Sequence, residues 1–345
     1  MRQMALLMSA MALVGVCAAP AASANDSVVC RIADERLTEI SGLAYSPTFD
    51  GIIWTHNDSG GGPKLYALDS GTCETVAVLT LRGLPAKDFE AMAAGVNVMG
   101  ERVLWVADIG DNTASRATVS IYEVREPKTL RSSIVNATRY AVRYSTPQDA
   151  EALVADPGID QLWIISKGLL GGSVFELPRP LWPRGVTSLR KIGEERGFVT
   201  DAAMAPDGSR YAVRDYTNVR IYRGQPPGKL IADLVLPEQV QGEALTWTPD
   251  GRALLVASES DYRLLRVDLP QDAWMRSALP DSPQQPVAHE SAAGSPVNAA
   301  VVPADRVGTL AVIALAVGAG VFVIACLVVA IAAAVRRRRE EHVAD

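Results

Sequence analysis

From residue 28 to 269 the chain alternates short apolar runs with Gly, Pro, Asp and Asn turns, and no amphipathic helical stretch of useful length interrupts them. β-Branched and aromatic residues concentrate in the runs, a pattern that predicts an all-β domain. The runs also recur as a unit. Each unit opens on a polar residue followed by small apolar ones: Ser41-Gly-Leu-Ala, Glu90-Ala-Met-Ala, Glu151-Ala-Leu-Val, Asp201-Ala-Ala-Met and Glu243-Ala-Leu-Thr. A tight turn follows in most, such as Asp156-Pro-Gly, Pro206-Asp-Gly and Pro249-Asp-Gly. A second apolar run comes next (Ile52-Ile-Trp-Thr, Val103-Leu-Trp-Val, Leu162-Trp-Ile-Ile), and then a third (Lys64-Leu-Tyr-Ala, Val119-Ser-Ile-Tyr, Val174-Phe-Glu-Leu). Residues 75–81, 137–144, 188–192 and 230–236 supply a fourth.

Four strands per unit, repeating every ~40–60 residues, predict the blades of a β-propeller. The count is five, with six, one of them irregular, as the alternative. The fifth unit lacks a fourth strand after Leu269, and residues 28–32 are available to supply it and close the ring. A two-sheet sandwich would not require a repeating four-strand unit.

Antiparallel strands place the start of each first strand beside the end of the second. The second-strand ends are polar: His56-Asn57-Asp58, Asp108-Ile-Gly-Asp111-Asn112, Ser166-Lys167, Arg214-Asp215 and Ser258-Glu259. Side chains two apart on a strand share a face, which pairs Glu39 with Ser41, Asp88 with Glu90, Asp149 with Glu151, Val199 with Asp201 and Gln241 with Glu243. If the first strands line the channel, the carboxylates of Glu39, Asp88, Glu90, Glu151, Asp201 and Glu243 ring its mouth. Clustered carboxylates repel unless they share protons or meet a cation, and oxygen donors suit Ca²⁺ or Mg²⁺. Asn57, Asp108, Asp111, Asn112, Lys167, Arg214 and Glu259 are the ligand-binding candidates around them. Lys167 and Arg214 could instead neutralise acids within the ring, Asp111 and Asn112 could simply shape their own loop, and acids at a propeller mouth often do no more than cap turns and order water.

The flanks predict export. Residues 1–24 combine a basic start, an apolar run and an Ala22-Ser-Ala24 site, the pattern of a signal peptide. Residues 271–306 have the Pro, Ser, Ala and Gln content of a linker. Residues 307–335 carry no charge, long enough to cross ~30 Å of hydrocarbon, and Arg336 to Arg339 follow at once. Arginines stay on the cytoplasmic side, so the expected topology is single-pass type I in the cell membrane, with residues 25–270 extracellular and 336–345 a cytoplasmic tail.

The net charge of −6 is mildly acidic, and outside the tail no basic stripe suggests nucleic acid as a partner. Cys30 and Cys73, the two cysteines of the exported part, are expected to form a disulfide in an oxidising compartment. Ring closure by residues 28–32 puts Cys30 on the last blade, far from the outer strand of blade one. The bond then needs a favourable path.

Catalytic motifs are absent: there is no Gly-x-Ser-x-Gly, His-Glu-x-x-His or phosphate-binding glycine loop. Of three histidines, His289 lies in the linker and His342 in the tail, leaving His56 as a candidate base beside Asp58. A lone histidine more often serves as a structural hydrogen-bonder.

The strings Glu39-Ile-Ser-Gly-Leu-Ala, His56-Asn-Asp-Ser-Gly and Trp105-Val-Ala-Asp-Ile-Gly-Asp-Asn resemble exported, membrane-anchored actinobacterial β-propeller proteins over roughly residues 30–269. The chain is more distantly similar to SMP-30/gluconolactonase, NHL and esterase-like phytase propellers. In some of these a divalent cation sits over the channel, and the resemblance implies Glu90, Glu151, Asp201 and Glu243 as the corresponding positions. Five blades rather than six, and a different ligand spacing, set this chain apart, and likeness of fold does not carry activity with it. The functional expectation is a tethered extracellular propeller that binds a ligand, a divalent cation or a cell-envelope partner through its acidic face. The alternative is a metal-dependent hydrolase of lactones or phosphoesters, with His56 or Asp58 as base and Lys167 and Arg214 holding an anionic substrate. A domain that only presents its rim to another protein is the third reading.

Overall fold

The computed structural model describes residues 26–169 and 171–275. The expected signal peptide, membrane span, basic tail and all but the start of the linker lie outside the described residues. Among those described, no helix is long and apolar enough to cross a membrane.

The described residues form 22 strands in five sheets. Strand β1 is Asp26–Arg31. Blade I holds β2 (Ile40–Tyr45), β3 (Ile52–Asn57), β4 (Lys64–Asp69) and β5 (Thr75–Leu81). Blade II holds β6 (Phe89–Val96), β7 (Arg102–Asp108) and β8 (Val119–Val124); after a short β9 (Ser133–Val135) comes its outer strand β10 (Ala137–Arg143). Blade III holds β11 (Ala150–Ala155), β12 (Leu162–Ser166) and β13 (Gly172–Glu176), then a short β14 (Val186–Ser188) and the outer β15 (Arg190–Glu195). Blade IV holds β16 (Asp201–Met204), β17 (Arg210–Arg214), β18 (Asn218–Arg223) and β19 (Lys229–Val235). Blade V holds β20 (Gln241–Trp247), β21 (Ala253–Glu259) and β22 (Asp261–Asp268), and β1 pairs antiparallel with β22 as its outer strand. The closure expected from the missing fourth strand is the one observed. The inner strands neighbour one another around the ring in the order β2, β6, β11, β16, β20 and back to β2.

Two strands went unread in the sequence. β9 adds in parallel to β5, and β14 adds in parallel to β10, so each joins the outer edge of the preceding blade. Both lie in long connections that pass an open sheet edge, where unpaired backbone groups accept a further strand. A third difference is at the linker start, where Gln271–Met275 forms a helical turn, α1. Ala273 is buried in the cluster between blades IV and V and Trp274 packs on it, so the folded body extends five residues beyond the expected boundary.

The core lies between blades. A buried tryptophan anchors four of the five junctions: Trp54 between blades I and II, Trp105 between II and III, Trp163 between III and IV, and Trp247 between IV and V. The junction of V with I has none. It packs Ile32, Leu37, Tyr66 and Leu264 and is crossed by a disulfide between Cys30 and Cys73, with Cα atoms 5.7 Å apart. The distance feared from the sequence does not arise, because neighbouring blades stack face against face: β1 of blade V lies beside the β4–β5 hairpin of blade I, where Cys73 adopts a left-handed φ of 61°.

Candidate functional site

Blade pairing explains how the acids reach the channel mouth. In blade II, Phe89 pairs with Asp108 and Ala91 with Ala107, so Glu90 is the extra residue of a β-bulge. Glu151 in blade III and Glu243 in blade V are skipped in the same way. A bulge leaves one residue out of the ladder and re-aims its side chain. Glu90, Glu151 and Glu243 are thereby turned to the mouth, each at most 4% exposed. Blade IV has no bulge there. Asp201 pairs regularly with Arg214, and its carboxylate accepts from Leu245 N at 2.7 Å and Ala202 N at 2.8 Å. The ring expected from the repeat is therefore broken at blade IV, where Asp201 ties two inner strands together.

The acids converge at the junction of blades I and II. Asp58, just after β3, and Asp88 and Glu90, at the start of β6, place one oxygen each within 4.8 Å of one another. Asp58 Oδ1 is buried and bonded by no donor among the described residues. Gly110 closes the cluster from the β7–β8 loop: a Cβ there would stand 2.2 Å from Glu90 Oε1 and 2.5 Å from Asp88 Oδ2. Only a residue without a side chain lets the loop approach so closely. Burial, then Asp88, Glu39 and Glu243, push the Asp58 carboxyl up to about 8. Burial, then Glu151, Asp58 and Asp88, push Glu90 up to about 11. These shifts mark charge that is both desolvated and crowded.

The cations near the mouth are engaged with other acids. Lys167 Nζ lies 2.7 Å from Glu151 Oε1, and Arg116 lies 2.5 Å from Asp108 Oδ1. Burial raises Glu151, and Lys167 restrains it to about 7; burial opposes the Lys167 charge, but Glu151 holds it above the usual lysine value. Glu259 faces Glu243 and is raised by burial and that neighbour to about 8. Glu39, half-buried on the rim, accepts from Ser59 Oγ at 2.9 Å.

Most of the other expected site residues make hydrogen bonds within the protein. Arg214 is fully buried and donates to Ala244 O, Ala257 O and Gln239 Oε1, clamping blade IV to blade V. Asn57 donates to Arg36 O at 2.6 Å and accepts from Glu39 N, shaping the entry to β2. Asp111 accepts from Arg116 N and caps its own loop, while Asn112 is exposed beside it. Asp108 binds Arg116 and the Lys87 amide. Of the two expected bases, His56 is fully buried against Phe89, and burial lowers it to about 4, a neutral ring out of reach of solvent. Asp58 belongs to the acid cluster.

Sequence reading missed Phe198 and Tyr216, which stack with centroids 5.9 Å apart on the blade IV side of the mouth. Lys167 Nζ sits 5.0 Å over Phe198, and Tyr216 Oη donates to Glu243 Oε1 at 3.2 Å. Both aromatics lie outside the repeating strand unit, so no periodicity signalled them.

No family model matches the chain, and no curated protein matches it. Among solved structures, a chain titled Kuenenia stuttgartiensis Hydrazine Synthase is similar at 14% identity and a TM-score of 0.37, covering 66% of this chain and 64% of that one. A likeness at that level bears on no residue of the site, and the propeller architecture rests on the strand pairing itself.

Proposed function

We propose that this chain is an extracellular, membrane-tethered β-propeller whose channel mouth holds a hard divalent cation, Ca²⁺ or Mg²⁺, between Asp58, Asp88 and Glu90, and that this mouth engages a polar ligand or an envelope partner. One observation carries the reading: three carboxylates from two blades bring oxygens within 4.8 Å of one another. The paired cations of the face sit on Glu151 and Asp108 instead. The residues fit such an ion: every donor is an oxygen, Asp58 Oδ1 has an open acceptor position, and Gly110 leaves the space. When bound, the ion would supply positive charge against the crowded carboxylates and coordination positions for an oxygen of the ligand. Lys167, Glu259 and Tyr216 would border that ligand from blades III to V.

The test is thermal unfolding of the purified protein with chelator and then with Ca²⁺ or Mg²⁺, alongside metal content. A free ion at 100 times its dissociation constant stabilises by about 2.7 kcal/mol, a rise of roughly 5–10 °C for a domain of this size. E90Q should abolish the metal response, because an amide cannot ionise against the ion, while leaving the metal-free melting point near that of the wild type, since burial and the neighbouring acids already keep the Glu90 carboxyl neutral at pH 7. No bound metal and a melting point indifferent to both ions would refute the reading.

A further inference from the structure

The channel does not end as it begins. At the end opposite the acids, between the turns that follow the inner strands, lies a cavity of about 340 Å³. All five inner strands line it, and four of them do so with an alanine: Ala44, Ala94, Ala155 and Ala203. Leu43, Met92, Met204 and Trp247 complete an apolar wall. The turns add Pro47, Pro157, Pro206 and Pro249, which bring no N–H. A volume and lining of this kind fall in the range of small-molecule pockets, and methionines let such a wall adapt to its ligand.

Charge stays at the solvent edge of this cavity. Asp50 and Arg102 are the charged residues of its lining; both are exposed, and Arg102 Nη1 donates to Pro47 O at 2.7 Å. The hydroxyls of the lining are engaged with one exception. Ser46 Oγ donates to Glu126 Oε1 at 2.6 Å, and the Tyr45 hydroxyl is bonded to Ser70. Thr246 lines the cavity at only 7% exposure, and its hydroxyl has no hydrogen-bond partner among the described residues. A buried hydroxyl without a partner costs stability, and a ligand that meets it removes that cost.

We propose that this cavity is a binding site, separate from the acidic mouth, for a small uncharged amphiphile whose single hydroxyl or carbonyl pairs with Thr246. Taking the ~30 Å³ of a liquid water for each non-hydrogen atom with its hydrogens, the apolar body has about ten such atoms. A charged ligand is refused, because the wall holds no opposite charge to replace its lost hydration. The site requires no cation at the other end of the channel.

NMR of methyl-labelled methionines in the purified full-length chain tests this, with para-propylphenol as the probe. The Met92 and Met204 methyl signals should shift saturably, while Met99, 75% exposed and outside the lining, stays in place. T246V keeps the shape of the wall and removes the hydroxyl, and should weaken binding several-fold. The anion para-propylbenzoate, of similar size, should leave both signals where they are. Met92 and Met204 signals that ignore para-propylphenol, or that respond equally to the benzoate, would overturn the proposal. Equal affinities of T246V and the wild type for para-propylphenol would overturn it as well.

Discussion

At the scale of single residues, two glycines and one arginine separate what the mouth does from what holds it. Gly110 has carboxylate oxygens where a Cβ would be, so G110A must push the β7–β8 loop off Asp88 and Glu90. We expect a loss of about 1–3 kcal/mol by analogy with overpacking, measured by denaturant unfolding, together with loss of the metal response. Gly242 plays a different part: a Cβ there would stand 1.9 Å from a terminal nitrogen of Arg214, so the glycine opens the path for the guanidinium into the IV–V junction. Burial lowers that guanidinium to about 10, and three oxygens of the neighbouring blade hold it in place. R214A strands those acceptors and leaves Asp201 without its nearby positive charge, and should cost about 3–5 kcal/mol. R214K should recover little, since an ammonium cannot span the same fork. If R214A unfolds at the wild-type midpoint, the clamp contributes nothing.

At the scale of elements, the bulge is the device that matters. Glu90, Glu151 and Asp201 open equivalent strings in the repeat, yet a one-residue slip in β6 and β11 sends two of them to the mouth and regular pairing in β16 keeps the third in the backbone. The repeat predicted strands and their order because period and turn chemistry are local. Which carboxylate faces the channel depends on the register of a partner strand, and no single string states it. The connection between β1 and β2 shows a second kind of element-level control. Asp34 accepts from Arg36 within the connection and from Thr75 Oγ1 on β5 at 2.7 Å, fastening the closing segment to blade I. The Arg36 hydrogen bond, with Thr75 and the Arg36 amide, holds its carboxyl down at about 2. A carboxylate lowered in the folded state stabilises above its unfolded value near 4, and that stabilisation is lost as pH falls through 2. With Arg36 largely in solvent, the contribution is about 1 kcal/mol. D34N should remove that increment at pH 7 and flatten the stability profile between pH 4 and 2. Parallel wild-type and D34N profiles would contradict it.

At the scale of the whole molecule, the ring is closed twice at the junction of V with I, where no tryptophan anchors the packing. β1 completes the last blade through backbone pairing, and the Cys30–Cys73 bond links that strand to blade I across a sequence separation of 43. Cross-linking a loop of that length restricts the unfolded chain by an amount worth about 4 kcal/mol in the chain-entropy account. The double variant C30S/C73S should lower the melting temperature by roughly 8–16 °C, with full recovery of fold on cooling because β1 still pairs. An unchanged melting temperature would mean that strand pairing alone governs closure.

The sequence by itself determined the all-β class, the five repeats, the closing role of residues 28–32 and the face on which polar residues gather, because periodicity, turn residues and the missing fourth strand are local properties of the chain. Only the tertiary structure decided that Asp58 of blade I meets Asp88 and Glu90 of blade II, that Gly110 makes room for them, and that Asp201, Arg214 and His56 are withdrawn into the scaffold. Those outcomes depend on which blade faces which and on where a bulge shifts the register. Both are set by contacts between residues far apart in sequence.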